Sequence, residues 1–447
     1  MRAPGRLALV LVAMGGGHAF SAPAVTLIRD VRVFDGERVL PRASVLMREG
    51  RIEAVGANLP APAGAEIVEG AGKTLLPGLI DAHGHVRGPA LRDELVFGVT
   101  TVLDMSTDPA WAAERRREQR GGQGLDRADL FSAGLLVTCP HGHGTEWERI
   151  PTVDSPAQAQ SFVDARVAEG SDYIKIVHDD NRTFGKIIPT LDRPTLQAVV
   201  TAAHTRGRLA VVHIGSVPGA RAALEAGADG LVHLSPDRPV DAALVALAKR
   251  QHAFVVPTLS LNESLSGVSS GASLIDDPHL QPYLSPGVRK NLRGHFRLGV
   301  AVDFSTVLAS VALFHAAGVP VLAGTDAPNT GSWHGVSLHR ELELLVQAGL
   351  TPLEALRAAT SAPADAFRLP DRGRITVGRR ADLLLVDGDP TTDVRATRAI
   401  ARIWKLGVPC DREAFRASLP RDRRPLLYGA GTVVILALIV LRRRARR

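Results

Sequence analysis

The chain has 447 residues, of which 45% are hydrophobic, so it can build the core of one large domain with an accessory layer. Its formal net charge of +7 comes from arginines at the two ends, Arg2 and Arg6 near the start and five in the range 442–447, because neither end carries an acid. The chain between them is neutral overall, so the net charge does not support a basic surface for nucleic acid.

The first 24 residues have the outline of a secretory signal. A basic start is followed by an apolar run at 7–14 and by small residues at 22–24. We therefore predict a signal peptide at 1–24 and export to the periplasmic or extracytoplasmic side of a bacterial membrane. The alternative is a disordered apolar leader.

Short strands with alternating apolar residues and Gly or Asp turns occur in two separate regions. The first covers residues 25–75, and the second covers residues 371–412, including "GRITVGRRADLLLVDGD". Because the two regions share this character and flank a different kind of sequence, we predict one small β-sandwich domain built from N-terminal and C-terminal segments together.

Residues 76–370 alternate between apolar runs typical of buried strands and helical stretches. Such alternation predicts a parallel sheet, and eight repeats of it predict an α/β fold of the (β/α)8 TIM barrel type. A capping box, in which Thr351 precedes Pro352 and Glu354, marks the start of the helix after the last strand. The eight predicted strands lie at 74–85, 99–105, 130–138, 173–177, 209–214, 230–235, 253–259 and 319–327.

The C-terminal segment 425–441 contains no charge, and arginines follow it. At about 1.5 Å per residue its length is close to the short limit for a bilayer, so we predict a transmembrane helix and a basic cytoplasmic tail at 442–447. The alternatives are a processed sorting tag and a buried C-terminal helix. The two cysteines, Cys139 and Cys410, could form a disulfide or remain free thiols.

Six side chains able to bind a metal lie on the predicted strands or at their ends. Lys175 lies among apolar neighbours and needs a partner, such as Asp104 or Asp179, or a modification such as a carbamate. Parallel barrel strands bring the ends of different strands to one rim, so the set predicts a metal site, although each histidine alone is more often structural. The six are His83, His85, Lys175, His213, His233 and Asp326.

Several motifs together resemble the amidohydrolase superfamily, in the branch of prolidase-like dipeptidases and imidazolonepropionase relatives. They are "LLPGLIDAHGH", "GVTTVLD", "DYIKIV", "GTDAPNTG", "ELELLVQAGLTPLEALRAAT" and "GRITVGRRADLLLVDGDP". The resemblance implies that two divalent metal ions, by default zinc, share a carbamylated Lys175. One ion would also be held by His83, His85 and Asp326. The other would also be held by His213 and His233.

The same resemblance suggests that His143, in "HGHG", touches the substrate; the alternative is a histidine in a flexible loop. The chain departs from the resemblance at Val232, where relatives usually carry Glu, and at His178 and Asp179, where many carry glycine. These departures leave the substrate open.

We predict a hydrolase that cleaves an amide or peptide-like C–N bond of a small molecule, with a hydroxide bridging the two metal ions as nucleophile and Asp326 as proton shuttle. Alternatives are a lactone or ester hydrolase on the same site and a non-catalytic binding protein on the same scaffold. The resemblance implies that a mononuclear deaminase carries a Glu shortly after the histidine at the position of His213; none follows in "HIGSVPGA", so deamination is disfavoured. The oligomeric state, including a homo-oligomer, stays open.

Overall fold

The computed structural model describes residues 25–420. The predicted signal peptide at 1–24, the apolar segment 425–441 and the tail 442–447 lie outside the described residues. The described chain opens with strands in alternating apolar pattern, as expected for 25–75. These strands are β1 (Val25–Phe34), β2 (Val39–Arg48), β3 (Arg51–Gly56), β4 (Glu66–Glu69) and β5 (Lys73–Pro77).

Seven short strands follow and form two parallel sheets, in the orders β6-β7-β8 and β12-β11-β10-β9. Most of their residues are fully buried, in line with the apolar runs of the sequence. They are β6 (Leu79–Gly84), β7 (Val99–Asp104), β8 (Asp129–Ser132), β9 (Ile174–His178), β10 (Ala210–Ile214), β11 (Gly230–Val232) and β12 (Phe254–Val256).

Isolated parallel bridges, rather than continuous ladders, connect these sheets into the α/β barrel architecture. They pair Val137 with Ile176, Val255 with Val321, and Gly84 with Ala327. The predicted eighth strand at 319–327 therefore takes its place in the ring without forming a regular strand. Pro320 contributes to this, since proline has no N–H to donate to a ladder.

Helices alternate with the barrel strands and cover them. The predicted capping box is confirmed, since Thr351 accepts from the backbone N–H of Glu354 and the Glu354 side chain returns to Thr351. The helices are α1 (Ala90–Val96), α2 (Pro109–Arg120), α3 (Ala159–Ala168), α4 (Arg193–Thr205), α5 (Val217–Glu225), α6 (Ala242–Arg250), α7 (Leu259–Leu265), α8 (Ala272–Ile275), α9 (Pro286–Leu292), α10 (Phe304–Ala316), α11 (Val336–Gln347), α12 (Pro352–Ala358), α13 (Ser361–Ala366) and α14 (Arg412–Ser418).

Both ends of the described chain build one β-rich domain. The late strands β13 (Leu383–Asp387), β14 (Ile400–Lys405) and β15 (Val408–Pro409) join the early ones in one eight-stranded sheet, in the order β15-β14-β13-β5-β1-β2-β3 with β4 beside β1. Ile52 on β3 and Trp404 on β14 belong to the same buried cluster although their strands lie far apart in the sheet. The sheet therefore folds back on its own core.

A buried group of charges connects the β-rich domain to the barrel. Asp129, on β8, accepts from Arg372 at 2.9 Å and from Arg380 at 2.7 Å, and it lies 2.8 Å from Lys405 Nζ. Asp382 accepts from Lys405 at 2.9 Å and from Arg380 at 2.9 Å. These two carboxylates and three cations are buried together, and their hydrogen bonds fix the orientation of the β-rich domain relative to the barrel.

The predicted membrane anchor requires a correction. Between residues 25 and 420, no helix has the length and apolar character needed to cross a bilayer. The α4 and α10 helices, with 13 residues each, reach about 20 Å, whereas a bilayer core is about 30 Å thick. The predictions of a transmembrane helix, a membrane partner and an exported, anchored location are therefore wrong for the chain as described, and we withdraw them. Cys139 and Cys410 are both free.

Candidate metal centre

His83, His85 and Asp326 meet at the rim of the barrel. His83 lies in β6 and is fully buried, His85 follows the strand, and Asp326 lies in the irregular eighth segment. Asp326 Oδ1 is 3.2 Å from Nε2 of His83 and 3.0 Å from Nε2 of His85. The backbone of Asp326 is left-handed, with φ of 54°, which is uncommon outside glycine and concentrated at functional sites.

Lys175, His213 and His233 approach the same place from the other sheet. Nζ of Lys175, on β9, lies 3.4 Å from Nε2 of His83. The ring of His233 is 4.6 Å from the ring of His83 and 4.5 Å from the ring of His213. All six sequence-predicted donors are thus brought together at one rim, and one nitrogen or oxygen each of His83, His233 and Asp326 fall within 4.8 Å of one another.

His143 extends this row of rings outward. Its ring is 4.8 Å from that of His213 and 4.8 Å from the side chain of Trp147, which is 71% exposed. Burial, followed by the charge of His213, lowers the pKa of His143 to about 4. A neutral imidazole beside the donors and facing the cavity can donate to or accept from a bound molecule.

The protonation states of the cluster suit a cation. Burial and the charge of Lys175 lower the pKa of His83 to about 3, and burial lowers the pKa of His233 well below its usual value. Burial alone would raise the pKa of Asp326, but His83 and His233 outweigh it and hold that pKa well below its usual range. Neutral imidazoles and an ionised carboxylate are the forms that bind a divalent metal.

Two buried atoms of the cluster lack the hydrogen bond that burial normally requires. They are Nδ1 of His83 and Oδ1 of Asp326, which lies near two imidazoles but not in hydrogen-bonding geometry. Among the described residues Lys175 has no ion pair with a carboxylate, so the salt bridge considered for it is absent there. A buried carboxylate oxygen without a hydrogen bond, 3.2 Å and 3.0 Å from two imidazole nitrogens, fits a divalent ion with nitrogen and oxygen ligands.

Residues that the sequence did not single out hold these donors in place. Asp81 accepts from the backbone N–H of His83 at 2.9 Å and from the Thr325 hydroxyl at 2.6 Å, which ties β6 to the segment carrying Asp326. Thr258 Oγ1 lies 2.9 Å from Nδ1 of His233. Asp81 and Thr258 each follow an apolar run by a residue or two. Polar residues at strand ends are too common for this signal to identify them.

Five of the six donors, all except the fully buried His83, line a cavity of about 920 Å³. Its walls are largely apolar and come from the loops after β8, β9 and β12. The apolar lining includes Leu136, Ile150, Phe184, Leu261, Leu265, Phe296 and Leu298. Arg87, which is paired with Glu148, and Lys186 also line it. The α7 helix contributes part of this wall through Leu261 and Leu265.

A barrel with imidazoles and a carboxylate gathered at one rim is the architecture of hydrolases that use a divalent metal. The model of the amidohydrolase family matches residues 98–409, more than two thirds of the chain, and the chain belongs to this family. Its membership confirms the predicted superfamily and the prediction of a hydrolase acting on carbon–nitrogen bonds. The family generally uses a divalent metal.

Two relatives illustrate the range of the family. An uncharacterised protein of Mycobacterium tuberculosis is 28% identical over 349 residues, which cover 73% of this chain and 82% of the relative. Imidazolonepropionase of Mycolicibacterium smegmatis is 25% identical over 389 residues, covering 78% of this chain and 85% of the enzyme. The predicted similarity to the imidazolonepropionase branch is therefore confirmed.

The fold has close counterparts among solved structures. The crystal structure of a putative prolidase from Bifidobacterium longum superposes with a TM-score of 0.70 at 24% identity, covering 88% of this chain and 98% of the prolidase. At this identity the likeness shows the fold alone. It confirms the α/β architecture with a β-rich domain.

Proposed function

We propose that this chain is a binuclear metal-dependent amidohydrolase that cleaves an amide or peptide-like C–N bond. The observation that carries the proposal is the convergence of six donors from two sheets and the irregular eighth segment, five of which line one cavity. One ion would be held by His83, His85, Lys175 and Asp326. The second would share Lys175 and add His213 and His233.

Two divalent ions bound there would lower the pKa of a shared water and polarise the carbonyl of the substrate. Asp326 is the carboxylate next to that position and would accept the proton that the attacking water loses. It would then return this proton to the leaving nitrogen, because an amine leaves far more readily when protonated. His143, at the wall, would hold the substrate carbonyl in line with the water.

Lys175 must become an anion to serve both ions. Burial lowers the pKa of its amine to about 7, partly offset by Asp326 and Asp104, so a substantial fraction is neutral near neutrality. A neutral amine attacks carbon dioxide. The new N–C bond gives a carbamate, and one proton leaves to solvent. The carbamate then offers two oxygens at a point where the amine offered none.

The cavity supports a substrate with a bulky apolar part. Its volume of about 920 Å³ is at the upper end for small-molecule sites, and its wall is mostly aliphatic and aromatic. An amide between a large apolar acyl or aromatic group and a small amine would fill the wall region and still place its carbonyl at the donors. Compact, strongly polar amides would leave most of that apolar wall in contact with water.

A metal analysis together with a substrate panel tests the proposal. Purified protein should hold close to two divalent ions per chain, and N-acyl amino acids and dipeptides with large apolar groups should be cleaved faster than compact ones. Hydrolysis of esters and lactones without any amide would favour the ester alternative. Absence of bound metal after mild purification, with no turnover after metal addition, would contradict the proposed function.

A further inference from the structure

A second buried carboxylate lies beside the donors without belonging to the six. Asp179 follows β9 directly and is 6% exposed. Its Oδ2 is 3.3 Å from Nε2 of His213, and its Oδ1 accepts from the backbone N–H of Asn181 at 2.8 Å. Among the described residues, Asp179 makes one ion pair, which is with His213. One oxygen thus serves the loop, and the other faces the imidazole.

The place of Asp179 depends on a glycine in the neighbouring strand end. A Cβ atom on Gly215 would lie 1.9 Å from Oδ1 and 2.4 Å from Oδ2 of Asp179, so no side chain fits at position 215 while Asp179 holds this position. Gly215 is itself fixed, since its carbonyl accepts from Thr183 Oγ1 at 2.6 Å and from Ser235 Oγ at 2.7 Å. Contacts among three loops therefore hold this carboxylate in one position.

His213 and His233 are each held through one ring nitrogen by an oxygen. Thr258 Oγ1 lies 2.9 Å from Nδ1 of His233, and Asp179 Oδ2 lies 3.3 Å from Nε2 of His213. A nitrogen that donates to a carboxylate leaves the other nitrogen of the ring free, with its lone pair, to bind a metal. Carboxylate partners of this kind also make the imidazole more basic and fix its orientation.

We propose that Asp179 is a positioning residue for the second metal ion: it accepts the Nε2 proton of His213 and so presents Nδ1 of that ring to the ion. This role rests on the proposed binuclear function. It predicts that Asp179 acts on the affinity of one ion only, the one shared by His213 and His233, and leaves the ion at His83, His85 and Asp326 unaffected.

Cobalt titration of the metal-free full chain, followed by the visible absorption of Co²⁺, measures the two affinities separately. Asp179→Ala should weaken the second ion by about 10- to 100-fold, as loss of such a partner typically does. Asp179→Asn, which keeps an oxygen acceptor, should fall between Asp179→Ala and the wild type. Gly215→Ala, which displaces an intact Asp179, should weaken the same ion. Asp180→Ala is the matched control, because Asp180 is the next residue and pairs with Arg182 outside the cavity.

The outcomes separate this role from the proposed function. Two ions in the wild type with an unchanged second affinity in Asp179→Ala would overturn the role of Asp179 and leave the binuclear function intact. Uptake of one ion at most by the wild type would overturn both. A purely structural role would lower the melting temperature of Asp179→Ala without selective loss of the second ion, which also counts against the proposal.

Discussion

Nζ of Lys175 lies 3.4 Å from Nε2 of His83, although the two residues are 92 positions apart and belong to different sheets of the barrel. In the register of β9 with β10, Val177 is opposite His213, so Lys175 starts two residues below the level of His213. At about 3.3 Å per residue that depth is close to 7 Å. A lysine side chain reaches the rim from there, whereas Asp or Glu at 175 would end short of it. A carbamate on Lys175, as proposed above, would supply a carboxylate at a point that a standard acidic side chain does not reach.

This geometry predicts that Lys175→Ala loses the second ion and nearly all activity. Part of the activity should return when a short carboxylic acid such as acetate or propionate is added, because it can occupy the space of the missing carbamate. Metal-free wild type should regain activity faster with bicarbonate present during metal addition. Rates of recovery that do not depend on bicarbonate, with no rescue by carboxylates, would contradict a carbamate at Lys175.

Replacing Asp326 with Asn should lower kcat by about 10²- to 10⁴-fold, the range typical of a lost acid–base group. The amide keeps the size of the side chain, so the fold should persist, and circular dichroism checks this. Asp180→Asn, outside the cavity, serves as the control and should retain normal turnover. Wild-type kcat in Asp326→Asn would refute the proton-transfer role of this residue.

Removing one arginine from the buried charges between the barrel and the β-rich domain should lower the free energy of unfolding strongly. Arg372→Ala leaves Asp129 with fewer cations in a buried place, and removal of one partner from such a group typically costs about 3–5 kcal/mol. Urea unfolding measures the free energy. Arg29→Ala, which breaks the exposed pair with Glu69, is the control and should be close to wild type. Equal effects of the two substitutions would contradict this account.

Acid should destabilise the protein partly through Asp382. Burial would raise the pKa of this carboxyl, but Lys405, Arg380 and Arg372 outweigh burial and hold the pKa well below its usual range. A pKa that is lower in the folded state stabilises the protein above the unfolded value of about 3.9, and this stability is lost as the pH falls below it toward the folded pKa.

The variant Asp382→Asn tests this linkage. It should be less stable than wild type at pH 7, and its free energy of unfolding should fall less steeply between pH 5 and pH 3. Urea unfolding at several pH values gives both quantities. Parallel pH profiles of the two proteins would show that Asp382 is not a source of the acid sensitivity.

The apolar cavity wall should determine the size of the accepted substrate. Leu265→Trp adds bulk at the end of α7, where the side chain lines the cavity, and should lower kcat/KM for the bulkiest amides by about 10-fold or more while compact amides change little. Leu313→Trp, on the exposed face of α10, is the matched control. An equal loss for large and small substrates would indicate a general effect on the fold instead.

The sequence by itself determined the barrel architecture, the β-rich domain and the family, and it predicted the six donors as one set. These follow from local signals, since buried parallel strands must be apolar and strand ends of a barrel meet at one rim. It did not determine the regularity of the eighth strand, where Pro320 and the left-handed Asp326 interrupt the ladder. Its apolar C-terminal segment also suggested an anchor that the described chain, with helices of 13 residues at most, does not provide.

Only the tertiary structure decided which polar residues act together. Asp179 was considered in sequence as a partner for Lys175, yet it faces His213, because the loop after β9 turns it toward the end of β10. Asp81 joins Thr325 across 244 positions of the chain. Hydrogen bonds of this kind require segments remote in sequence to be placed to within a few tenths of an ångström. No local pattern of residues encodes a placement of that precision.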